Sequence, residues 1–435
     1  MKIRRLTNLH NSIFGILGFF IPTVILFFSY RILANQLGEV QFGVYLVVTS
    51  ISAIAASFDL GMSSANVKFV AEAFVRDRKS IPNIVLTSMC FYFLLSGLTL
   101  LLALLVSIYF PAILNIPDEL EYQIELLFLL PALQVGAMLM MSCFVGVLKA
   151  LNRFDLVVTA SIVFPVVALG LGSYGVLSGW YGLIGLLWVG VLAAFFSLCF
   201  SMFLATILCR KEGLFLLNGR PKKLHFREMF GFSSILTLHS LVAVFFNQIQ
   251  RLLISGTAGP AAVALFQLPY SALSKVHALI NSASEFIYPV ASSSSNYSSL
   301  RSTYKKLMGI AAAVAILILG SISLYAEIVF GIWLGDSIAL KVAPLVWPIS
   351  VAFFFIALSA PVHHILNGVG LPGWNVLYSV INVFLYVSYL LIHAKKDLVV
   401  LDFAYAFAFS NVLSGVFFQL FMEFYIWKKI CRILQ

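Results

Sequence analysis

Three cations stand inside long apolar runs of this sequence: Arg31, Arg251 and Lys275. An ionised side chain at membrane depth is expensive, and it persists where it faces a wet cavity, a partner or a lipid headgroup. Arginine can hold a phosphate or carboxylate through two parallel hydrogen bonds, and lysine acts on it as a compact point charge. A cavity lined by all three would favour an anionic group. Arg31 and Arg251 have a second reading, in which they stretch along the bilayer to the headgroups at the outer ends of their segments. Asn247, Gln248 and Gln250 crowd beside Arg251. Such a polar density suits hydrogen bonding to sugar hydroxyls or bridging between helices. Asp59 is a carboxylate well inside an early apolar run. It fits an ion-coupling group for H⁺ or Na⁺, a static partner for a base, or the cap of a helix irregularity.

Other chemistry finds little support. His363 and His364 are adjacent, and neighbouring helix positions do not face the same way, so a two-histidine metal site is not expected. The five cysteines, Cys90, Cys143, Cys199, Cys209 and Cys431, are odd in number and form no CxxC or Cys/His cluster. Neither a disulfide framework nor a metal site is expected from them. No catalytic constellation and no cofactor is expected.

The elements that must position these residues follow from composition. The chain has 435 residues, 61% apolar and 10% charged, with mean hydropathy +1.02. Soluble domains are about 45–50% apolar and about 25% charged. Lipid is the solvent that accepts such a sequence, and there each helix satisfies its own backbone groups. About twelve runs approach the roughly 20 apolar residues that a span needs. They lie near 12–34, 44–66, 84–110, 123–148, 156–177, 183–208, 230–254, 262–289, 307–332, 342–367, 375–394 and 401–426. The first is too long for a signal-peptide core and reads as a span. Alternating segments of about 10 residues, the mark of a β-barrel, do not occur. The expected fold is an all-α integral membrane protein of about twelve transmembrane helices in two six-helix lobes, residues 1–208 and 230–435, joined by a cytoplasmic linker at 209–229.

The net charge of +10 is a topology signal rather than a nucleic-acid signal. With a cytoplasmic amino terminus, most basic residues fall in inside segments, among them Lys68, Arg76, Arg78, Lys79, Arg210, Lys211, Arg220, Lys222 and Lys223. Outside loops hold Lys341, Lys395 and Lys396. This asymmetry puts both termini in the cytoplasm. Anionic membrane lipids are a secondary partner of the same bases.

The halves echo each other. Arg31-Ile32-Leu33 precedes Leu37-Gly38 and Phe42-Gly43-Val44-Tyr45, while Arg251-Leu252-Leu253 precedes Ala258-Gly259 and Val263-Ala264-Leu265-Phe266. Leu148-Lys149-Ala150-Leu151-Asn152-Arg153-Phe154 is matched by Leu366-Asn367-Gly368-Val369-Gly370-Leu371-Pro372. Both pairs are offset by about 220 residues. Six spans per half is an even number, so the lobes should be parallel repeats, with a substrate site expected at their interface.

Leu37-Gly38-Glu39-Val40-Gln41-Phe42-Gly43-Val44-Tyr45, through Phe58-Asp59-Leu60-Gly61-Met62, resembles the start of polysaccharide-repeat flippases. These include the O-antigen (Wzx-type) flippases of the multidrug/oligosaccharidyl-lipid/polysaccharide exporter superfamily. Ile254-Ser255 with Gly259, Pro289, Trp333-Leu334-Gly335 and the Leu366–Gly370 turn extend the resemblance along the chain. It implies two lobes around a cavity that opens alternately to each side of a bacterial inner membrane. It also implies an undecaprenyl-diphosphate-linked oligosaccharide as substrate, and polysaccharide-assembly proteins as partners. Arg31, Arg251, Lys275, Asn247, Gln248 and Gln250 are then the expected substrate-binding residues, with Asp59 the ion-coupling candidate. One departure is that the Leu366–Gly370 turn lacks the bases of Lys149 and Arg153, which puts a symmetric phosphate-handling role for the two turns in doubt. The competing classes are a small-molecule antiporter of the multidrug or major-facilitator kind, and a membrane polymerase or glycosyltransferase. A cation exporter would favour an acidic cavity. The loop Lys68–Lys79 does not match the Gly- and Arg-rich loop of major-facilitator proteins, and the outer loops are short for such an enzyme.

Overall fold

The protein is described by a computed structural model covering residues 8–57, 62–109, 113–216, 218–293, 297–371, 373–393 and 398–434. Side chains of residues 8–17, 52–53, 55–57, 223–225, 230–247, 292–293 and 432–434, with a few isolated ones, lie outside that description. Asp59 and the side chain of Asn247 are therefore outside the described residues.

Regular structure among the described residues is helical. In chain order the helices are α1 Asn8–Gln36, α2 Gly38–Ser57, α3 Met62–Arg76, α4 Ile81–Tyr109, α5 Ile124–Ala150, α6 Phe154–Pro165, α7 Gly172–Leu177 and α8 Leu183–Lys211. The later helices are α9 Lys223–Ser284, α10 Ile287–Ser293, α11 Tyr297–Leu324, α12 Ala326–Leu334, α13 Asp336–Gly368, α14 Gly373–His393, α15 Val400–Phe421 and α16 Trp427–Leu434. Among the described residues, ten helical segments are long and apolar enough to cross a membrane. The second and seventh windows of the sequence are not among them; both include side chains outside the description.

The chain divides into two compact units, Met1–Gly256 and Thr257–Gln435. In the first, α4 packs along α5 and α5 along α8. The amphipathic α3 inserts Met62, Ala65, Val70 and Ala73 into the same core. Asn66 on α3 locks the arrangement. Its Nδ2 donates to the Cys143 carbonyl at 2.8 Å, and its Oδ1 accepts the Ser88 hydroxyl at 3.1 Å. Segment 218–222 is pinned to the start of α4, where the Arg220 amide donates to Asn83 Oδ1 at 2.8 Å and the Lys222 amide to Thr87 Oγ1 at 3.1 Å. In the second unit, α13, α14 and α15 form the centre, and α11 packs on α13.

Where the halves echo each other in sequence, their backbones agree. Gly38 separates α1 from α2 with φ 75°, and Gly259 interrupts α9 with φ 81°. Left-handed backbone carries a Cβ penalty that glycine escapes. Pro260 then opens the next helical run, where its missing N–H is harmless. Asn152 and Gly370 are likewise left-handed, at φ 56° and 78°. The Arg153 amide donates to the Leu148 carbonyl at 3.1 Å, and the Leu371 amide to the Leu366 carbonyl at 2.8 Å. These are paired Schellman endings, which satisfy carbonyls that a helix C-terminus otherwise leaves open.

Candidate functional site

Arg251 sits on the first half of α9, half-buried, and its Nη1 donates to Ser50 Oγ on α2 at 3.0 Å. Ser50 is fully buried and gives its own proton to the Leu46 carbonyl at 2.6 Å, so its oxygen is free to accept the guanidinium. The hydroxyls of Tyr30 on α1 and Tyr45 on α2 lie within electrostatic reach of Arg251. Phe42 braces them, edge-on to Tyr30 at 5.2 Å and stacked on Tyr45 at 6.4 Å between ring centres. The guanidinium is thus bonded to one hydroxyl on α2, with two tyrosines of α1 and α2 in its electrostatic field.

A second clamp fixes the end of this helical run. Ser255 Oγ donates to the Leu114 carbonyl at 2.5 Å, and Asn115 Nδ2 donates back to the Ser255 carbonyl at 3.1 Å. A side chain at Gly256 would meet the Ile113 carbonyl, so the small residue permits the close approach. None of these partners is near in sequence, and the partnership of Arg251 with Ser50 spans 201 positions.

The other expected site residues lie on α1 and along α9. Arg31 on α1 is exposed, and its carbonyl accepts Asn35 Nδ2 at 2.9 Å. Gln248 and Gln250 precede Arg251 on α9. Gln250 is almost fully buried, and among the described residues neither Gln248 Oε1 nor Gln250 Nε2 has a hydrogen-bond partner. Buried amide groups without partners carry unsatisfied hydrogen-bonding capacity. Lys275 is half-buried on the part of α9 that belongs to the second unit. Arg31 and Arg251 therefore share a unit, and Lys275 belongs to the other.

The α5–α6 turn uses its cation locally. Arg153 Nε and Nη2 donate to the two carboxylate oxygens of Asp155 at 2.9 and 2.7 Å. This bidentate pair raises the basicity of Arg153 above its ordinary range. What the two echoed turns share is the geometry of a helix ending, not charge.

Sequence reading missed a neutral polar seam inside the second unit. Asn382 Nδ2 on α14 donates to Asn411 Oδ1 and Ser414 Oγ on α15, at 2.9 and 2.8 Å. Gln419 Nε2 donates to the Leu358 carbonyl at 2.9 Å while its Oε1 accepts the Tyr304 hydroxyl at 2.8 Å. Asn375 Nδ2 bridges Asn367 Oδ1 and the His363 carbonyl, at 2.8 and 3.2 Å. The signal was present: Asn375, Tyr378, Asn382, Tyr386 and Tyr389 recur at three- and four-residue spacing and share one helical face. His363 rests on the Tyr378 and Phe418 rings, while His364 Nε2 meets Asn281 Oδ1 at 3.2 Å. Among the described residues no group of three or more His, Cys, Asp or Glu could hold a metal ion.

Among the described residues, membrane-length helices in two units, with internal backbone echoes and a half-buried cation bonded to a buried hydroxyl, are the features of a multi-pass membrane protein. The whole fold matches solved transporters of that class. An inward-facing multidrug resistance MATE family transporter of the MOP superfamily matches with TM-score 0.70 and 14% identity, over 96% of this chain and 98% of the other. An outward-facing one matches with TM-score 0.63 and 17% identity, over 98% and 95%. The family model described as "Polysaccharide biosynthesis protein" matches residues 9–295, and the chain belongs to that family. A curated relative from Shigella flexneri, named "Putative O-antigen transporter", is 23% identical over 357 residues, 80% of this chain and 82% of its own length. Its fold is that of MOP superfamily transporters, and family and relatives point to a transporter rather than an enzyme.

Proposed function

We propose that this chain moves a lipid-linked oligosaccharide, an O-antigen-type repeat unit on undecaprenyl diphosphate, from the cytoplasmic to the periplasmic leaflet of a bacterial inner membrane. The observation that carries the reading is Arg251, a guanidinium inside a long apolar run that donates to the buried Ser50 hydroxyl, with Tyr30 and Tyr45 within its electrostatic reach. A diphosphate asks for donors and positive charge, and a sugar asks for donors and acceptors together. Arginine, tyrosine and serine supply both. The relative's name supports the same substrate class.

The physical problem is the head of such a lipid. The polyprenyl tail is at home in the bilayer, but burying an unpaired diphosphate in hydrocarbon carries a prohibitive desolvation penalty. Arg31, Arg251 and Lys275 are the proposed cations that replace water around the phosphates while the tail stays in lipid. Gln248 and Gln250, with open amide groups, suit sugar hydroxyls. Alternating access supplies the motion, a reading supported by the fold's likeness to transporters in inward- and outward-facing forms. Asp59 is the proposed coupling site for an ion gradient.

The test is translocation of a fluorescent undecaprenyl-diphosphate oligosaccharide in proteoliposomes. Arg31→Ala, Arg251→Ala and Lys275→Ala should each slow translocation at least about ten-fold, equivalent to roughly 1.4 kcal/mol of lost stabilisation, with normal membrane insertion. Wild-type rates in all three would remove the cationic path. Product of changed covalent structure in the same vesicles would instead make the chain an enzyme.

A further inference from the structure

A groove of about 440 Å³ runs between α11 and α13 in the second unit. Its walls are apolar, including Ile316, Leu319, Val351 and Phe354. Two serines break the apolar lining, Ser323 on α11 and Ser350 on α13. A helical serine has an easy partner in the carbonyl three or four residues back. Many span serines of this chain take it; Ser321, Ser359 and Ser410 are examples. Ser323 and Ser350 do not, and among the described residues neither buried hydroxyl has a partner. Ser350 is only 4% exposed. An unsatisfied hydroxyl in such surroundings calls for a ligand that brings an acceptor with it.

Depth narrows the ligand. About twenty helical residues cross the roughly 30 Å hydrocarbon layer. Counted from Lys306 on α11, that distance ends near Ala326; counted back from Asn367 on α13, it ends near Trp347. Both serines therefore lie within about a turn of the bilayer boundary away from Lys305 and Lys306. Tyr325 and Trp347, 60% and 62% exposed, stand at the same level. Aromatic residues of that kind mark the junction of acyl chain and headgroup. In a glycerophospholipid this is the depth of the ester carbonyls. A polyprenyl diphosphate has no carbonyl to offer.

We propose that this groove is a binding site for one acyl chain of a diacyl glycerophospholipid, with the Ser323 and Ser350 hydroxyls donating to its ester carbonyl. The site is separate from the path proposed for the transported lipid, and it requires only that the chain span a bilayer. Its hydrocarbon part fills the apolar walls between α11 and α13 and completes the packing of two helices that otherwise leave a gap.

The full-length protein in detergent, with phosphatidylglycerol supplied either as the diester or as the diether of equal chain length, is the sample; native mass spectrometry counts the retained lipid. The wild type should retain the diester about five-fold better than the diether, the worth of one neutral hydrogen bond of roughly 1 kcal/mol. The double change Ser323→Ala with Ser350→Ala should bring the two lipids to parity. Gly320→Leu should expel both, because a side chain there enters the groove, and a Cβ at this glycine meets nothing within 4 Å. Equal retention of the two lipids by the wild type overturns the proposal. So does undiminished retention by Gly320→Leu, or displacement of the diester by undecaprenyl phosphate at equal concentration.

Discussion

Ser50 decides how the Arg251 guanidinium is presented. A hydrogen bond from a charged donor is worth about 1.5–3 kcal/mol, and the Ser50 oxygen accepts it at 3.0 Å. Ser50→Ala keeps the charge and removes the positioning. Its expected outcome is weaker retention of the diphosphate lipid with little change in protein yield, whereas Arg251→Gln loses retention and transport together. Equal behaviour of the two variants in a lipid-retention assay would mean that charge is irrelevant at this position. The seam of the second unit is a different case, because its members are neutral and their partners lie on neighbouring helices. Interhelical hydrogen bonds in membranes average about 0.6 kcal/mol and reach about 1.7. Asn382 makes two of them. Asn382→Leu should therefore lower unfolding stability in mixed micelles by about 1 kcal/mol, while translocation at moderate temperature stays near normal. A transport defect without a stability loss would instead give Asn382 a direct role.

Helices and their breaks carry the likeness between the halves. Gly38 and Gly259 interrupt the chain at matched places, both at positive φ. Gly259 lies at φ 81°, ψ 167°, a region essentially restricted to glycine. A Cβ at either position meets no atom within 4 Å, so a substitution reports on the backbone alone. Gly259→Ala should destabilise the protein by about 1–3 kcal/mol, read as a lowered unfolding midpoint. Gly370→Asn should be milder, because asparagine tolerates the left-handed conformation and already serves at Asn152 in the matched turn. The apolar runs and these punctuating residues were legible in the sequence because lipid permits only self-satisfied helices and a left-handed turn selects few residue types. The second window was displaced: α2 begins at Gly38, ahead of 44, since the Gly38 break lets a helix restart at once. The partners of Arg251 and Ser255 were not legible, because pairing across more than a hundred residues is set by packing rather than by local spacing. The seam of α14 is legible in its three- and four-residue recurrence, but its partners on α13 and α15 are not, because packing sets them.

At the scale of the whole chain, the distribution of charge makes a prediction independent of substrate. Basic segments around Arg76, Lys211 and Lys222 should face the cytoplasm, and the loop carrying Asp118 should face away. The second and seventh windows decide the span count, since they are the two absent from the ten membrane-length segments among the described residues. If the stretch from α2 to α3 crosses the bilayer, Glu39 and Arg76 lie on opposite sides. If the start of α9 crosses, Lys222 and Thr257 do too. Single cysteines at these positions and at Asp118, placed in a chain whose five natural cysteines are replaced, can be labelled in intact cells with a membrane-impermeant maleimide. Glu39→Cys, Asp118→Cys and Thr257→Cys should react at once; Arg76→Cys and Lys222→Cys should react only after permeabilisation. Reaction of both members of either pair from outside would remove one crossing and leave an odd count. The termini would then face opposite compartments, and two six-helix repeats of common orientation would become impossible, because an odd number of crossings cannot be divided into equal halves that point the same way. The paired Schellman endings would survive such a result as local likeness. The expectation that Arg31 and Arg251 are repeat-related counterparts would not, since it needs their two helices to cross the bilayer in the same direction.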